Sequence, residues 1–348
     1  MSLNYPGGLI TANPITPAGP YENGAASGIW TLDQAQFWLK QGLWPIAGNS
    51  AAPLALWSAR GTNSGGTANV AISSANLATT GNWTFWGNLA TARIYGGVGL
   101  ASTTRGIFAG GYGAAPYVRA IDYVTFGSSG NATFFGNLST STGILNGVGG
   151  VSSPTRGVVM GGASESLGSR TDVMSYITTA TTGDSTSFGT LSQQVDNLNQ
   201  GGSSGTRGMI AGGYGNSTGT SARIEYITIA STGNATSFGN LTTGRFIPGG
   251  MSSNTRAVWA GGSSTNTIDY VTIASTGNAT SFGTLTFNAG DASAVNNGIR
   301  GCVGYSGGQN TDYITIATTG NGTSFGSLTL HAAGGMLMGC CGGQGGLT

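Results

Sequence analysis

From Leu54 onward the chain alternates short apolar or β-branched runs with polar, glycine-rich breaks, and nowhere in that stretch do apolar residues hold a helical spacing. The passage Thr255 to Leu285, TRAVWAGGSSTNTIDYVTIASTGNATSFGTL, shows the unit most plainly. An apolar run ends in a glycine pair (Ala257 to Gly262), and a β-branched and aromatic run follows (Thr267 to Ser275). A Thr-Gly-Asn turn (Thr276 to Asn278) then leads into a second short run (Thr280 to Leu285). Each run predicts a strand and each break predicts a turn.

The same passage recurs. The GN-x-T-x-F-G-x-L element, or a close variant, begins at Gly81, Gly130, Gly183, Gly233, Gly277 and Gly320, with spacings of 49, 53, 50, 44 and 43 residues. The run ending in Gly-Gly also occurs six times, as LALWSARG, GIFAGG, GVVMGG, GMIAGG, AVWAGG and GCVGYSGG. Periods near 50 residues built from short strands predict the blades of an all-β, six-bladed β-propeller. The glycine pairs are expected where backbones crowd the centre and turn with positive φ. The first repeat lacks a strand of the innermost type before Leu54, whereas LTLHAAGGMLMGCCGG follows the last one. The stretch from about Ala333 to Cys340 is therefore expected to complete the first blade and close the ring, removing exposed edges. The repeat resembles the kelch repeat, with Gly261-Gly262, Tyr270 and Phe282 in its glycine-pair, tyrosine and large-aromatic places. It departs from kelch in carrying Phe238, Phe282 and Phe325 where a tryptophan is usual.

Residues 1–50 do not repeat and are read as an N-terminal extended arm with one short helix, an anchor or docking segment, leaving residues 51–348 as the propeller. Met1 to Ser27 is too poor in apolar periodicity to build its own core. Thr31 and Gln34 form a capping box and Gly42 with Pro45 ends the segment, which predicts a helix over Leu32 to Gln41. Trp30, Trp38 and Trp44 place three of the seven tryptophans within fifteen residues, a candidate docking surface for another subunit.

Composition narrows the chemistry. Only 7% of the 348 residues are charged, 65 are glycine, and the formal net charge is +1, so a nucleic-acid footprint is not expected. The N-terminus has no basic and apolar leader pattern and no long apolar run occurs, so neither a signal peptide nor membrane insertion is expected. His331 is the only histidine, and Cys302, Cys340 and Cys341 have no zinc or disulfide spacing. No enzyme, no catalytic residue, no metal and no cofactor are therefore expected; a copper site of the galactose-oxidase type would need two histidines. The turn Ser275 to Phe282 is similar to the Asp-box of sialidase propellers, which is structural, and no paired carboxylates accompany it.

The charged residues fall at repeated places. Asp122, Glu225, Asp269 and Asp312 precede the tyrosine or its equivalent, with Asn69 and Ser175 in the other two repeats. Arg105, Arg156, Arg207, Arg256 and Arg300 recur in the same way, and such residues are expected to join strands or neighbouring blades. The loops after Gly-Gly differ instead, from SSTNT to YGAAPYVRA, ASESLGSRT and YGNSTGTSAR. Tyr112, Tyr117, Arg119, Glu165, Arg170, Tyr214 and Arg223 on those loops form the candidate ligand-binding face. The string ASGIWTLDQAQFWLKQGLWP, with Gly28, Ile29, Trp30, Thr31, Leu32, Trp44 and Pro45, resembles a segment of tailed-phage structural proteins that precedes a repetitive β region. That resemblance implies a virion protein, a tail fibre or a capsid or tail decoration, made in the host cytoplasm and bound to other virion proteins through residues 1–50. It further implies an outward propeller that binds a host-surface receptor, a glycan or a protein, in a homo-oligomeric assembly. A purely structural coat or fibre subunit is the alternative, and a polysaccharide-acting enzyme the remote one.

Overall fold

A computed structural model of the chain describes residues 33–34, 54–58, 70–94, 96–113, 118–139, 147–163, 169–216, 219–328 and 337–342. Asp33 and Gln34 are helical and exposed; the rest of the arm and helix expected over residues 1–50, with Trp30, Trp38 and Trp44, lies outside the described residues. Residues from Leu54 onward belong to one compact unit and are described by themselves.

Among the described residues of that unit the strands form six four-stranded antiparallel sheets and one small three-stranded sheet. In the first sheet, Met338–Cys341 pairs with Leu54–Ser58, which is followed in spatial order by Ala71–Asn76 and Thr84–Asn88. The second sheet holds Val98–Ala101, Arg105–Ala109, Ala120–Thr125 and Thr133–Asn137. The third holds Gly149–Ser152, Arg156–Met160, Val173–Thr178 and Thr186–Thr190; the fourth Gly202–Ser203, Arg207–Ala211, Arg223–Thr228 and Thr236–Asn240. The fifth holds Gly249–Ser252, Arg256–Ala260, Thr265–Thr272 and Thr280–Ala289; the sixth Ala292–Asn296, Arg300–Tyr305, Asn310–Thr315 and Thr323–Ser327. The strand expected from the C-terminal stretch is thus found at Met338–Cys341, with Cys341 opposite Ala55 and Met338 opposite Ser58.

Between third and fourth strands every sheet slips register at one equivalent place, immediately before Ser73, Asp122, Ser175, Glu225, Asp269 or Asp312. A bulge adds a residue to one strand and re-aims the side chain beside it. The register corrects the sequence reading: Ser73, opposite Trp57, holds the first sheet's acid position, because Asp122 lies opposite Phe108 in the same way. Asn69 lies outside the described residues.

Apolar burial is distributed among junctions. One cluster joins the first and second sheets around Leu56, Phe108 and Met338, and a second joins the second and third around Leu100 and Val159. Others join third to fourth, fourth to fifth and fifth to sixth. Trp57 and Trp83 pack with Phe325 and Leu328 between the sixth sheet and the first. The first-position strands also touch one another in succession, including Ala292–Asn296 against Met338–Cys341 and Met338–Cys341 against Val98–Ala101. These approaches admit no side chain: a Cβ on Gly99 would stand 1.9 Å from the Gly339 carbonyl oxygen, and one on Gly250 2.1 Å from that of Gln200. Buried Gln200 donates to the Gly339 carbonyl at 3.2 Å and accepts from Ser293 Oγ at 3.1 Å, while Trp57 Nε1 donates to Ser293 Oγ at 3.2 Å.

The repeated glycine pairs serve a different place. Gly110-Gly111, Gly161-Gly162, Gly212-Gly213 and Gly261-Gly262 all have positive φ, as expected, at the ends of second strands. Their tight neighbours are the segments joining consecutive sheets, such as Val195 beside Gly161 and Arg245 beside Gly212. The closest crowding among first-position strands involves other glycines, Gly99 and Gly250 among them.

Candidate functional site

The repeated arginines build joints. Arg105, Arg156, Arg207, Arg256 and Arg300 each lie over the tyrosine of their own sheet, Tyr123, Tyr176, Tyr226, Tyr270 and Tyr313, at 4.3 to 4.6 Å from the ring centroid. Each Nη1 donates to a main-chain carbonyl of the following sheet, at Thr179, Ile229, Ile273, Ile316 and Leu77 respectively. A guanidinium suits this double task, since its face stacks on a ring while its N–H fork reaches outward. The last joint runs from the sixth sheet to the first.

The repeated acids face the preceding sheet. Asp122 accepts from Thr91 N at 2.9 Å and Thr91 Oγ1 at 3.1 Å; Asp269 and Asp312 hold Thr242 and Thr286 in the same way. Two of them also hold buried arginines that the sequence reading did not single out. Arg93 Nη2 donates to Asp122 Oδ2 at 2.9 Å and Nη1 to the Phe108 carbonyl; Arg245 pairs with Asp269 at 2.9 Å. Burial lowers the pKa of both guanidiniums and the carboxylate opposes it. These groups are spent inside the scaffold.

The variable loops give a different arrangement. In the fourth sheet's loop, Tyr214–Gly215 and Gly219–Thr220 form a hairpin that pairs with Val195–Asp196 of the segment joining the third and fourth sheets, making the three-stranded sheet. From the third sheet's loop, Arg170 Nε donates to Asp196 Oδ1 at 2.9 Å and Nη1 to Asn216 Oδ1 at 2.7 Å, with the guanidinium 4.8 Å from the Tyr214 centroid. Asn216 Nδ2 donates to Gln194 Oε1 at 2.9 Å. The Tyr214 ring is 38% exposed, one of three large hydrophobics so exposed among the described residues. Arg223 donates to Ser192 Oγ and lies 4.0 Å from Glu225, whose carboxylate accepts from Ser192 N at 3.1 Å.

The structure therefore brings Arg170 and Tyr214 together, and from the start of the strand Arg223–Thr228 it sets Arg223 against Ser192 of the same joining segment, two residues from Gln194. Tyr112 and Arg119 lie between the second and third strands of the second sheet and are partly buried, the Tyr112 carbonyl accepting from Ile94 N at 2.5 Å. Tyr117, Glu165 and His331 lie outside the described residues. Asp196 and Gln194 were missed because they belong to a segment between sheets, which no repeat alignment marks as variable loop, and Asn216, on the variable loop itself, was passed over beside Tyr214 and Arg223.

Among the described residues no group of three or more His, Cys, Asp or Glu is placed to hold a metal. Cys302, Cys340 and Cys341 are buried and held in no disulfide among the described residues, and burial raises the pKa of Cys302 and Cys340. No helix among the described residues is long and apolar enough to cross a membrane. No protein-family model matches the chain, and no curated protein matches it.

Proposed function

We propose that the chain is a structural protein of a tailed-phage particle, a kelch-like six-bladed propeller that binds a host-surface receptor through the loop cluster at Tyr214. What supports a closed propeller is the run of arginine joints and apolar clusters between successive sheets, with Arg300 donating to Leu77 and Met338–Cys341 pairing with Leu54–Ser58. The virion setting rests on the resemblance of residues 28–45 to a phage segment.

The observation that carries receptor binding is the Arg170–Tyr214 pair with its polar surround. One face of the ring is covered by the guanidinium, which fixes the ring, while the exposed part remains for a ligand. Asp196, Asn216, Gln194 and Arg170 flank it with planar, paired donors and acceptors. A sugar presents apolar C–H faces to a ring and vicinal hydroxyls to such groups, so a glycan receptor suits the cluster. The test compares adsorption of particles carrying Tyr214→Ala or Arg170→Ala with wild type, at equal incorporation of the protein. Loss of adsorption is expected; unchanged adsorption overturns the reading.

A second reading, a coat or fibre subunit that only packs on its neighbours, draws on Phe85 and Phe134. They hold one repeat position on the fourth strands of adjacent sheets and are 58% and 52% exposed, where the other four sheets have serine.

A further inference from the structure

The arginine–tyrosine joint occurs at five of the six junctions, and the exception has a consequence of its own. Leu54 holds in the first sheet the register place of Arg105, since Leu54 lies opposite Asn76 as Arg105 lies opposite Thr125. Ser74 holds the place of Tyr123, being opposite Leu56 as Tyr123 is opposite Ile107. Both large side chains of the joint are absent here together. A cavity of about 170 Å³ opens at this spot, lined by Leu54, Ser74 and the hairpin turn that follows.

The lining has two characters. Leu54, Ala75 and Phe325 contribute apolar surface, while Ser74, Asn76, Thr79, Thr80, Asn82 and Thr84 bring hydroxyls and amides, with no charged residue among them. The turn is held in shape from within and from the sixth sheet. Asn76 Oδ1 accepts from Ala78 N at 2.9 Å, Gly81 N donates to the Phe325 carbonyl at 2.9 Å, and Asn82 Oδ1 accepts from Ser327 N at 3.0 Å. Ser74 Oγ and Thr84 Oγ1 lie 3.4 Å apart. In the other sheets the equivalent turns have the tyrosine ring at the Ser74 place and the guanidinium at 4.3 to 4.6 Å over it.

We propose that this cavity in the first sheet is a binding site for a single neutral, hydroxylated six-membered ring, a monosaccharide unit, seated where the other sheets hold their tyrosine. A cavity of about 150 Å³ admits benzene, so one of about 170 Å³ has room for one face of a six-membered ring, with the remaining hydroxyls outside it. The absence of charge in the lining disfavours an anionic or cationic ligand, whose desolvation nothing there would offset. The hydroxyls and amides of the lining supply exchangeable donors and acceptors for ring hydroxyls, and Leu54, Ala75 and Phe325 offer apolar surface to a C–H face. This site is separate from the Tyr214 cluster, and its failure leaves that reading untouched.

The test is a ¹H–¹⁵N titration of the full chain with methyl α- and β-hexopyranosides, repeated on Ser74→Tyr and on Leu54→Arg/Ser74→Tyr. Those variants install the residues that five other sheets already carry, so they fill the cavity without a foreign structure. Saturable shifts at Ser74, Asn76, Thr79 to Asn82 and Thr84 in wild type, lost in both variants whose remaining spectrum is unchanged, are expected. A millimolar dissociation constant would be typical of a single ring, roughly 4 kcal/mol of binding. Absence of saturable shifts at these residues overturns the site. Shifts with p-cresol but with no hexopyranoside overturn the ligand class and assign the cavity to an inserted tyrosine-like side chain. Shifts that persist in Ser74→Tyr place binding elsewhere and overturn the proposal as well.

Discussion

Arg300→Ala tests how the sheets are joined. Its Nη1 donates to the Leu77 carbonyl at 3.0 Å, and its guanidinium stands 4.3 Å from the centroid of Tyr313. A hydrogen bond from a charged donor contributes about 1.5–3 kcal/mol. The stacking adds about 0.5–1 kcal/mol at a partly exposed site. Water can replace the arginine at a carbonyl that is only part-buried, so the lower halves of these ranges apply and the expected loss is about 2 kcal/mol. Arg207→Ala, with the same partners in kind at Ile273 and Tyr226, should cost a similar amount. The assay is urea unfolding of both variants, reading a lower midpoint at unchanged slope. A double-mutant cycle with Tyr313→Leu should give a coupling of about 0.5–1 kcal/mol, isolating the stacking from the carbonyl bond. If Arg300→Ala were neutral while Arg207→Ala was costly, the joint between the sixth sheet and the first would not exist, and the reasoning from equivalent joints would fail.

Further outcomes follow from the same geometry. Asp122→Ala strands the buried Arg93 guanidinium without its carboxylate and should cost about 3–5 kcal/mol, measured by the same unfolding assay. Gly99→Ala places a Cβ 1.9 Å from the Gly339 carbonyl oxygen and should abolish soluble folded protein, whereas Gly127→Ala, with nothing within 4 Å, should leave yield and midpoint unchanged. Cys302 and Cys340 should resist thiol reagents in the folded protein and react on unfolding. Because burial raises both thiol pKa values, the unfolded chain releases these protons first; stability should be full below the ordinary cysteine value of about 8.5 and fall as pH rises above it. A stability that rises over that range would contradict the burial of these thiols.

The repeats made the sheets legible because a strand needs only a local run and a local break, and each repeat contains both. The arginine joints, the strand at Met338–Cys341 and the positive φ of the glycine pairs could be read from repetition alone, whereas the segments those glycine pairs pack against could not. What a single repeat does not encode stayed hidden. Asn69 reads as the first sheet's acid position because counting back from a tyrosine fails in a sheet that carries Ser74 in its place. Arg93 and Arg245 look like loop arginines, yet each is 1% exposed, since their carboxylates come from the following sheet. Gln200 and Ser293 meet across 93 residues of chain, so no pattern could join them. Of the variable-loop residues, Arg170 and Tyr214 could be picked out by type, but their partner Asp196 is contributed by an unremarkable joining segment.

The repeated residues hold the sheets together, and under the proposed function the departures from the repeat recognise a ligand. A ¹H–¹⁵N titration of the full chain with oligosaccharides released from the surface of an adsorbing host bacterium tests that division most directly. The account predicts saturable shifts concentrated at Arg170, Gln194 to Asp196 and Tyr214 to Asn216, with the arginine joints silent. Shifts confined to the repeated Thr-Gly-Asn turns, or a spectrum that does not change at Tyr214 and its neighbours, would contradict it.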